Sequence, residues 1–439
     1  MLTGARIPRP SALRRPYAYL LVAVAAALPR LAVLAVERER ILEEFVEKSD
    51  RFARTLVESG TFGFLPDVPS AYTQPGYAED RAPLAWPVAR SWLADGLAQA
   101  LVAVATALVV FELGRYLRST GVGVAAALVA TLHPYVVWHD MHVNREILDG
   151  LLVVAVALVA LLAHDRRSPW LAAAAGALCG LAILGNSRLV ALPLVLAPFV
   201  AWRIRPGARA VATGLVLVLA AGLVVSPWAI RNRVQVGCFA ITTDARALWK
   251  ANNPSTYDVL ASGQWIDDVP NLRGAPPWPE RAADLTLAGT PTTVDECEQV
   301  ALYRDEVLSF WREQPGEKAR LAGQAVLMLW SPTFTVEADD PARSDAIELA
   351  KRTVEPAYAI ALFALALWGL ALAPRRYAAL VLLLVGTNTV MAMVFAGTVR
   401  YRAPFDALLA VLAALALDRA WTLFRGRRYA TPARESASR

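Results

Sequence analysis

The sequence predicts an all-α polytopic membrane protein of about ten transmembrane helices, with exterior juxtamembrane helices and a small exterior domain. Three observations carry that prediction. Of the 439 residues, 56% are hydrophobic and only 19% charged, and the mean hydropathy is +0.40, too apolar for a soluble chain of this length. The charges are segregated: long Ala/Leu/Val tracts hold almost none, and the segments between them are crowded with Arg, Asp and Glu. Arginine recurs beside alternate tracts, the pattern that orients membrane helices. Topology therefore accounts for much of the +6 net charge, and no basic recognition segment marks a nucleic-acid partner.

A crossing takes about 20 helical residues, and on that scale spans fall at 17–36, 95–115, 120–139, 147–163, 170–186, 188–202, 209–230, 356–373, 377–397 and 403–420. The first follows a basic leader with Arg14 and Arg15, lacks a small-residue cleavage site and is long enough to remain as a helix. A cytoplasmic start puts Arg6 and Arg9 inside, then Arg115 and Arg118, Arg166 and Arg167, Arg203, Arg205 and Arg209, Arg375 and Arg376, and finally Arg425, Arg427 and Arg428. Every short even-numbered connection is basic, as the positive-inside rule requires. Both termini are then cytoplasmic, and the long polar segments face the periplasm or cell exterior.

The chain divides accordingly into a membrane part (1–230) with a first exterior loop (37–94), an exterior cap (231–355), a second membrane part (356–424) and a basic tail (425–439). LAGQAVLMLW at 321–330 is too short to span and reads as interfacial. Cys179 lies in a span, whereas Cys238 and Cys297 share the cap, where an oxidising compartment permits a disulfide; two unrelated thiols are the alternative. There is no internal repeat, Walker A, GxGxxG or HExxH motif, which removes the basis for an inverted-repeat transporter, an ATPase or a zincin.

Polar chemistry collects in the exterior segments. From residue 37 the first loop reads ERERILEEFVEKSDRFARTLVESGTFGF, with apolar positions at helical spacing. An amphipathic surface helix follows, with Glu43, Glu47, Asp50 and Arg54 on its polar face. A solvated face is the plain account; a carboxylate base just outside the membrane is the functional one. Tyr72, Tyr77 and Trp86 lie in a Pro-rich loop suited to lining a sugar or lipid site, or to an interfacial aromatic belt.

HPYVVWHDMHVNREILDG closes the third span, and His139, Asp140, His142 and Glu146 are acceptable ligands for a divalent metal, although interfacial His and Asp are ordinary at helix ends. Arginine stands at every exterior mouth: Arg30 beside Pro29, Arg145, Arg188, Arg231 with Arg233, and Arg400 with Arg402. One such Arg is a snorkelling anchor, whereas a set of them points to an anion held at that face, because guanidinium binds phosphate bidentately. Lys250, Asn252, Asn253, Trp265, Asp267 and Asp268 suit sugar recognition or, equally, a folded cap.

PSAYTQPGY, the HPYVVWHDMHVNREILDG segment, GLAILGNSRLVALP, PWAIRN followed by ANNP, and VRYRAP occur in an order that resembles the prokaryotic glycosyltransferase family 39-like proteins. These are C-type membrane glycosyltransferases related to protein mannosyltransferases and the lipid A aminoarabinose transferase. The resemblance extends over nearly the whole chain. It implies the C-type fold, a polyprenyl-phosphate sugar donor, and inverting transfer to a lipid, glycan or protein acceptor with a first-loop acid as base. Counting back from Ser59 and Gly60 puts Phe45 and Val46 where the family's acid pair falls, so Asp50, or else Glu47, takes that role here.

On this reading Arg231, Arg400 and Arg402 hold the leaving phosphate, Arg145, Arg188, Tyr72, Tyr77, Lys250 and Asn252 complete the substrate site, and Asp140 with Glu146 orders the donor or a cation. A lipid-linked saccharide flippase and a non-catalytic scaffold are the alternatives. A flippase should carry polar residues deep in several spans, and here the spans read as mostly clean apart from Arg30, Glu112 and Asn388. Reporter fusions test the orientation: alkaline phosphatase joined within 231–355 is expected to be active, and joined after Arg428 inactive. The reverse pattern would invert the protein.

Overall fold

The computed structural model describes residues 15–43, 48–76, 91–204, 206–333 and 349–428. Glu47 and Tyr77 lie outside the described residues. The chain runs through α1 (Arg15–Glu37), α2 (Lys48–Ser59), α3 (Trp92–Leu117), α4 (Thr120–Thr131), α5 (Pro134–His139), α6 (Glu146–Arg166), α7 (Pro169–Gly185), α8 (Leu192–Ala201) and α9 (Gly207–Gln235). Five shorter elements follow: α10 (Ala245–Lys250), α11 (Thr256–Ala261), α12 (Pro279–Leu287), α13 (Glu296–Glu313) and α14 (Pro315–Leu329). The last three are α15 (Glu355–Leu372), α16 (Arg375–Val394) and α17 (Val399–Arg428).

Among the described residues, seven helices are long and apolar enough to cross a membrane, by length and composition, rather than the ten expected. They are α1, α3, α6, α9, α15, α16 and α17, and they make this a multi-pass membrane protein. The other three apolar tracts form shorter helices. α4 has 12 residues and α8 has 10, so at 1.5 Å per residue they rise about 18 and 15 Å against a hydrocarbon core of about 30 Å.

The expected third span breaks for a local reason. Pro134 has no N–H to donate and holds His133 extended, so α4 stops at Thr131 and α5 starts with the proline at its first position. The first exterior loop also departs from a single amphipathic helix. A 3₁₀ turn at Arg38–Leu42 precedes α2, and the two are separate elements.

α17 stands at the centre. From Arg402 to Leu415 all its residues but Ala407 are buried, and α4, α6 and α15 pack around it. The outer face of α9 exposes Val211, Leu215, Leu219 and Leu223, an i, i+4 stripe facing away from the core. Two glycines set close helix contacts: a Cβ on Gly176 would stand 2.1 Å from the Leu217 carbonyl oxygen, and one on Gly369 would stand 1.9 Å from that of Leu412. α7 thus lies backbone-to-backbone on α9, and α15 on α17.

Residues 236–333 do not form the separate exterior domain expected from their polarity. They are short helices seated on the ends of the long ones, with α14 packed on α16 and α17. Asn252 Nδ2 donates to the Val394 carbonyl at 2.8 Å, and Lys318 Nζ donates to that of Met393. Cys238 and Cys297 form a disulfide with a Cα–Cα distance of 5.9 Å, tying the end of α9 to the start of α13. Closing a loop of 59 residues stabilises a fold by about 4 kcal/mol in the chain-entropy account. Replacing both cysteines with serine is expected to lower the thermal midpoint of the purified protein, and an unchanged midpoint would show that the bridge contributes nothing.

Candidate functional site

The break between α4 and α5 creates the first feature of the site. Ending α4 early leaves the Thr131 carbonyl without a helical donor, and Arg30 supplies one: its Nη1 lies 3.0 Å from both Thr131 O and Thr131 Oγ1. The same guanidinium binds Asp140, with Nη2 at 2.6 Å and Nε at 2.9 Å from Oδ2. Arg30 is 1% exposed, so it is a buried ion-pair partner and not a snorkelling anchor.

The residues expected as metal ligands are dispersed by that arrangement. Asp140 is committed to Arg30, and His142 places Nδ1 3.0 Å from the Trp138 carbonyl with its ring against that indole. His139 stacks on Tyr135, with Nε2 3.8 Å from Glu146. Among the described residues no group of three or more His, Cys, Asp or Glu side chains gathers as a metal site.

Glu146 opens α6 and is the meeting point of the exterior arginines. Arg400 Nε donates to its Oε1 at 2.5 Å, and Arg145 Nε lies 3.9 Å from the same oxygen. One turn further along α6, Asp149 accepts from Asn186 Nδ2 at 2.8 Å. Asn186 ends α7 and caps the 3₁₀ turn that carries Arg188. Arg188 lies with its guanidinium carbon 3.8 Å from the Tyr401 ring centre and donates to the Ala396 carbonyl at 2.8 Å. Gln74 of the first loop joins the group, accepting from Arg145 and donating to Ser187.

A recess of about 290 Å³ is lined by Asp149, Asn186, Arg188, Arg400 and Tyr401. Burial works against the charge on Arg145, but Glu146 and Asp149 outweigh it and hold the guanidinium above its ordinary range. Three guanidiniums against two carboxylates leave this group with one positive charge in excess. In a poorly solvated site that excess favours an anionic ligand.

The remaining expected site residues have other partners, several of them backbone carbonyls. Arg231 donates to the carbonyls of Ser70 and Phe62 at 2.8 and 3.0 Å. Arg402 pairs with Asp406 at 3.1 Å and donates to the carbonyls of Leu329 and Ser331. Asn252 accepts from Trp311 and Lys318. Lys250 donates to the Asp267 carbonyl, and burial, together with Arg246, pushes its ammonium below the usual lysine range. Tyr72 packs on Phe64 under Lys48, and burial, then Asp244, raises its phenol. Asp50 is buried on α2 beside Arg54, at 3.3 Å.

Several contributors were not singled out by the sequence reading. Asp149 and Asp406 both lie inside apolar tracts, so the helices carry more polar groups than expected, and an acid within a span is itself a pointer to function. Glu296 accepts from Ser70 Oγ, the Ala71 N–H and Thr243 Oγ1, pinning the first loop to the later segment. No local pattern marks Glu296, because its partners are more than fifty residues away.

No protein-family model and no curated protein sequence matches the chain. Solved structures do resemble it. The Archaeoglobus fulgidus oligosaccharyltransferase AglB, in complex with an inhibitory peptide and a dolichol-phosphate, aligns with a TM-score of 0.52 at 14% identity, covering 97% of this chain and 53% of that one. The same enzyme tethered to an acceptor peptide gives 0.53 at 14% identity, covering 97% and 52%. ArnT from Cupriavidus metallidurans, bound to undecaprenyl phosphate, aligns less closely, at 0.44 and 16% identity, covering 96% and 82%.

The chain spans about half the length of AglB. Its fold resembles that of the part of AglB it aligns with. The Arg30–Asp140 pair can be tested for its part in that fold. Arg30→Met alone leaves a buried carboxylate uncompensated and is expected to cost about 3–5 kcal/mol, read as a lower thermal midpoint. The double change Arg30→Met with Asp140→Leu is expected to recover much of it. Equal loss in both variants would mean that the charge pairing is not what matters.

Proposed function

We propose that the protein is a membrane glycosyltransferase that takes a sugar from a polyprenyl-phosphate donor and passes it to an acceptor outside the cytoplasm. The observation that carries this reading is the convergence of Arg145, Arg188 and Arg400 on Glu146 and Asp149, with one positive charge in excess, in a fold that resembles a transferase solved with dolichol-phosphate. A leaving phosphate gathers negative charge as the sugar departs, and guanidiniums already fixed in place stabilise that charge without reorganising. The phosphate contact is thus assigned to Arg145, Arg188 and Arg400, with Arg231 and Arg402 left to support the backbone around them.

The acceptor must also lose a proton. Two carboxylates are suited to receive it: Asp50, on the first-loop helix, and Glu146, which touches Arg400 directly. Removing a charged hydrogen bond costs about 1.5–3 kcal/mol, so Arg145→Gln and Arg188→Gln are each expected to weaken polyprenyl-phosphate binding roughly tenfold to a hundredfold, with Arg231→Gln as the contrasting variant. Asp50→Asn or Glu146→Gln is expected to abolish transfer while donor lipid is retained. Wild-type protein that retains no polyprenyl phosphate, by mass spectrometry of its extracted lipids, would overturn the assignment.

A further inference from the structure

A second, larger cavity of about 670 Å³ lies among α1, α3, α4, α5, α6, α15 and α17. Glu146 and Pro404 border it, and Pro404 also borders the arginine recess. Much of its wall is apolar, including Ala103, Val129 and Leu362. Its polar rim has a different chemistry from the arginine recess. Asp406 is paired with Arg402, Glu146 with Arg400 and Asp140 with Arg30, so each lining carboxylate already has its counter-charge.

Hydrogen-bonding capacity nevertheless remains. Both ring nitrogens of His133, Oδ1 of Asp406 and Oε2 of Glu146 are buried without a hydrogen-bond partner, and their residues are 3%, 3% and 6% exposed. His133 Nε2 stands 3.5 Å from Asp406 Oδ2. Buried polar atoms of this kind are rare in folded proteins and call for a partner. A phosphate offers acceptors only and would face two carboxylates. A hydroxyl both donates and accepts, and so meets the carboxylate oxygens and the imidazole together.

We propose that this chamber binds an uncharged, hydroxyl-bearing head group attached to an aliphatic chain, the head on His133, Asp406 and Glu146 and the chain along the apolar wall. Two sources share that chemistry: the head of an acceptor lipid, and the sugar of the donor itself. The link to glycosyl transfer rests on the function proposed above; the binding does not.

The probe is n-octyl β-D-glucoside, offered to protein purified in a detergent that carries no sugar, with binding read by native mass spectrometry. Gly150 lines the chamber, and a Cβ added there meets nothing within 4 Å, so Gly150→Leu directs added bulk into that space. His133→Phe keeps the ring against Tyr358 and removes both nitrogens.

Each variant is expected to weaken octyl glucoside binding by about tenfold or more and to leave polyprenyl-phosphate retention unchanged. Octyl phosphate is expected not to compete. If an acceptor occupies the chamber, octyl glucoside still binds when the glycosylated donor is present; if the donor's sugar occupies it, the glycosylated donor excludes the probe. Binding to both variants as to wild type, or displacement by octyl phosphate, would overturn the proposal. Loss of polyprenyl-phosphate retention by wild type would instead remove the function proposed above and leave the chamber standing.

Discussion

Taking a carboxylate and a guanidinium out of water costs several kcal/mol per ion, and at the loop end of this bundle the contact between Glu146 and Arg400 offsets that cost. The pair joins the first turn of α6 to the first turn of α17, the central helix, and so fixes where the two begin relative to each other. Arg145 and Asp149 are drawn into the same field, and Arg188 reaches it from the turn after α7. Arg30–Asp140 and Arg402–Asp406 repeat the arrangement deeper in the bundle. Charges in these helices are held in pairs, and the place where the pairing is uneven is where a charged ligand is favoured.

That rule separates residues that look alike in sequence. Arg231 and Arg402 sit at helix mouths as Arg188 and Arg400 do, yet Arg231 donates to two backbone carbonyls, and Arg402, already neutralised by Asp406, donates to two more. They hold the first loop and the end of α14 in position. In the recess, Arg400 meets Glu146, and Arg188 lies on the Tyr401 ring and donates to the Ala396 carbonyl.

The helical membrane architecture was legible in the sequence, because apolar tracts and flanking arginines are local signals. Each expected apolar tract became helix, although α4 and α8 are too short to cross alone. The break after Thr131 was also written locally, in Pro134, but its consequence was not: only the fold shows that the freed carbonyl meets Arg30. Asp140 and His142 were expected side by side as metal ligands, but Asp140 meets Arg30 from α1, which spacing along the chain does not reveal, and His142 turns back to the Trp138 carbonyl four residues before it. The exterior arginines were legible as one set, with Arg231, Arg400 and Arg402 expected on the phosphate; dividing them as the fold does depends on contacts across long stretches of chain. Asp149 and Asp406 had a usable signal, being acids inside apolar tracts.

Glu146 borders the chamber and pairs with Arg400 of the recess, and Pro404 borders both, so the two spaces are neighbours. The central claim is that Arg145, Arg188 and Arg400 together hold the donor phosphate. The most direct measurement is an experimental structure of the protein with a bound polyprenyl phosphate. The account predicts phosphate oxygens within hydrogen-bonding distance of those three guanidiniums; a phosphate seated against Arg231 or Arg402, with the recess unchanged, would contradict it.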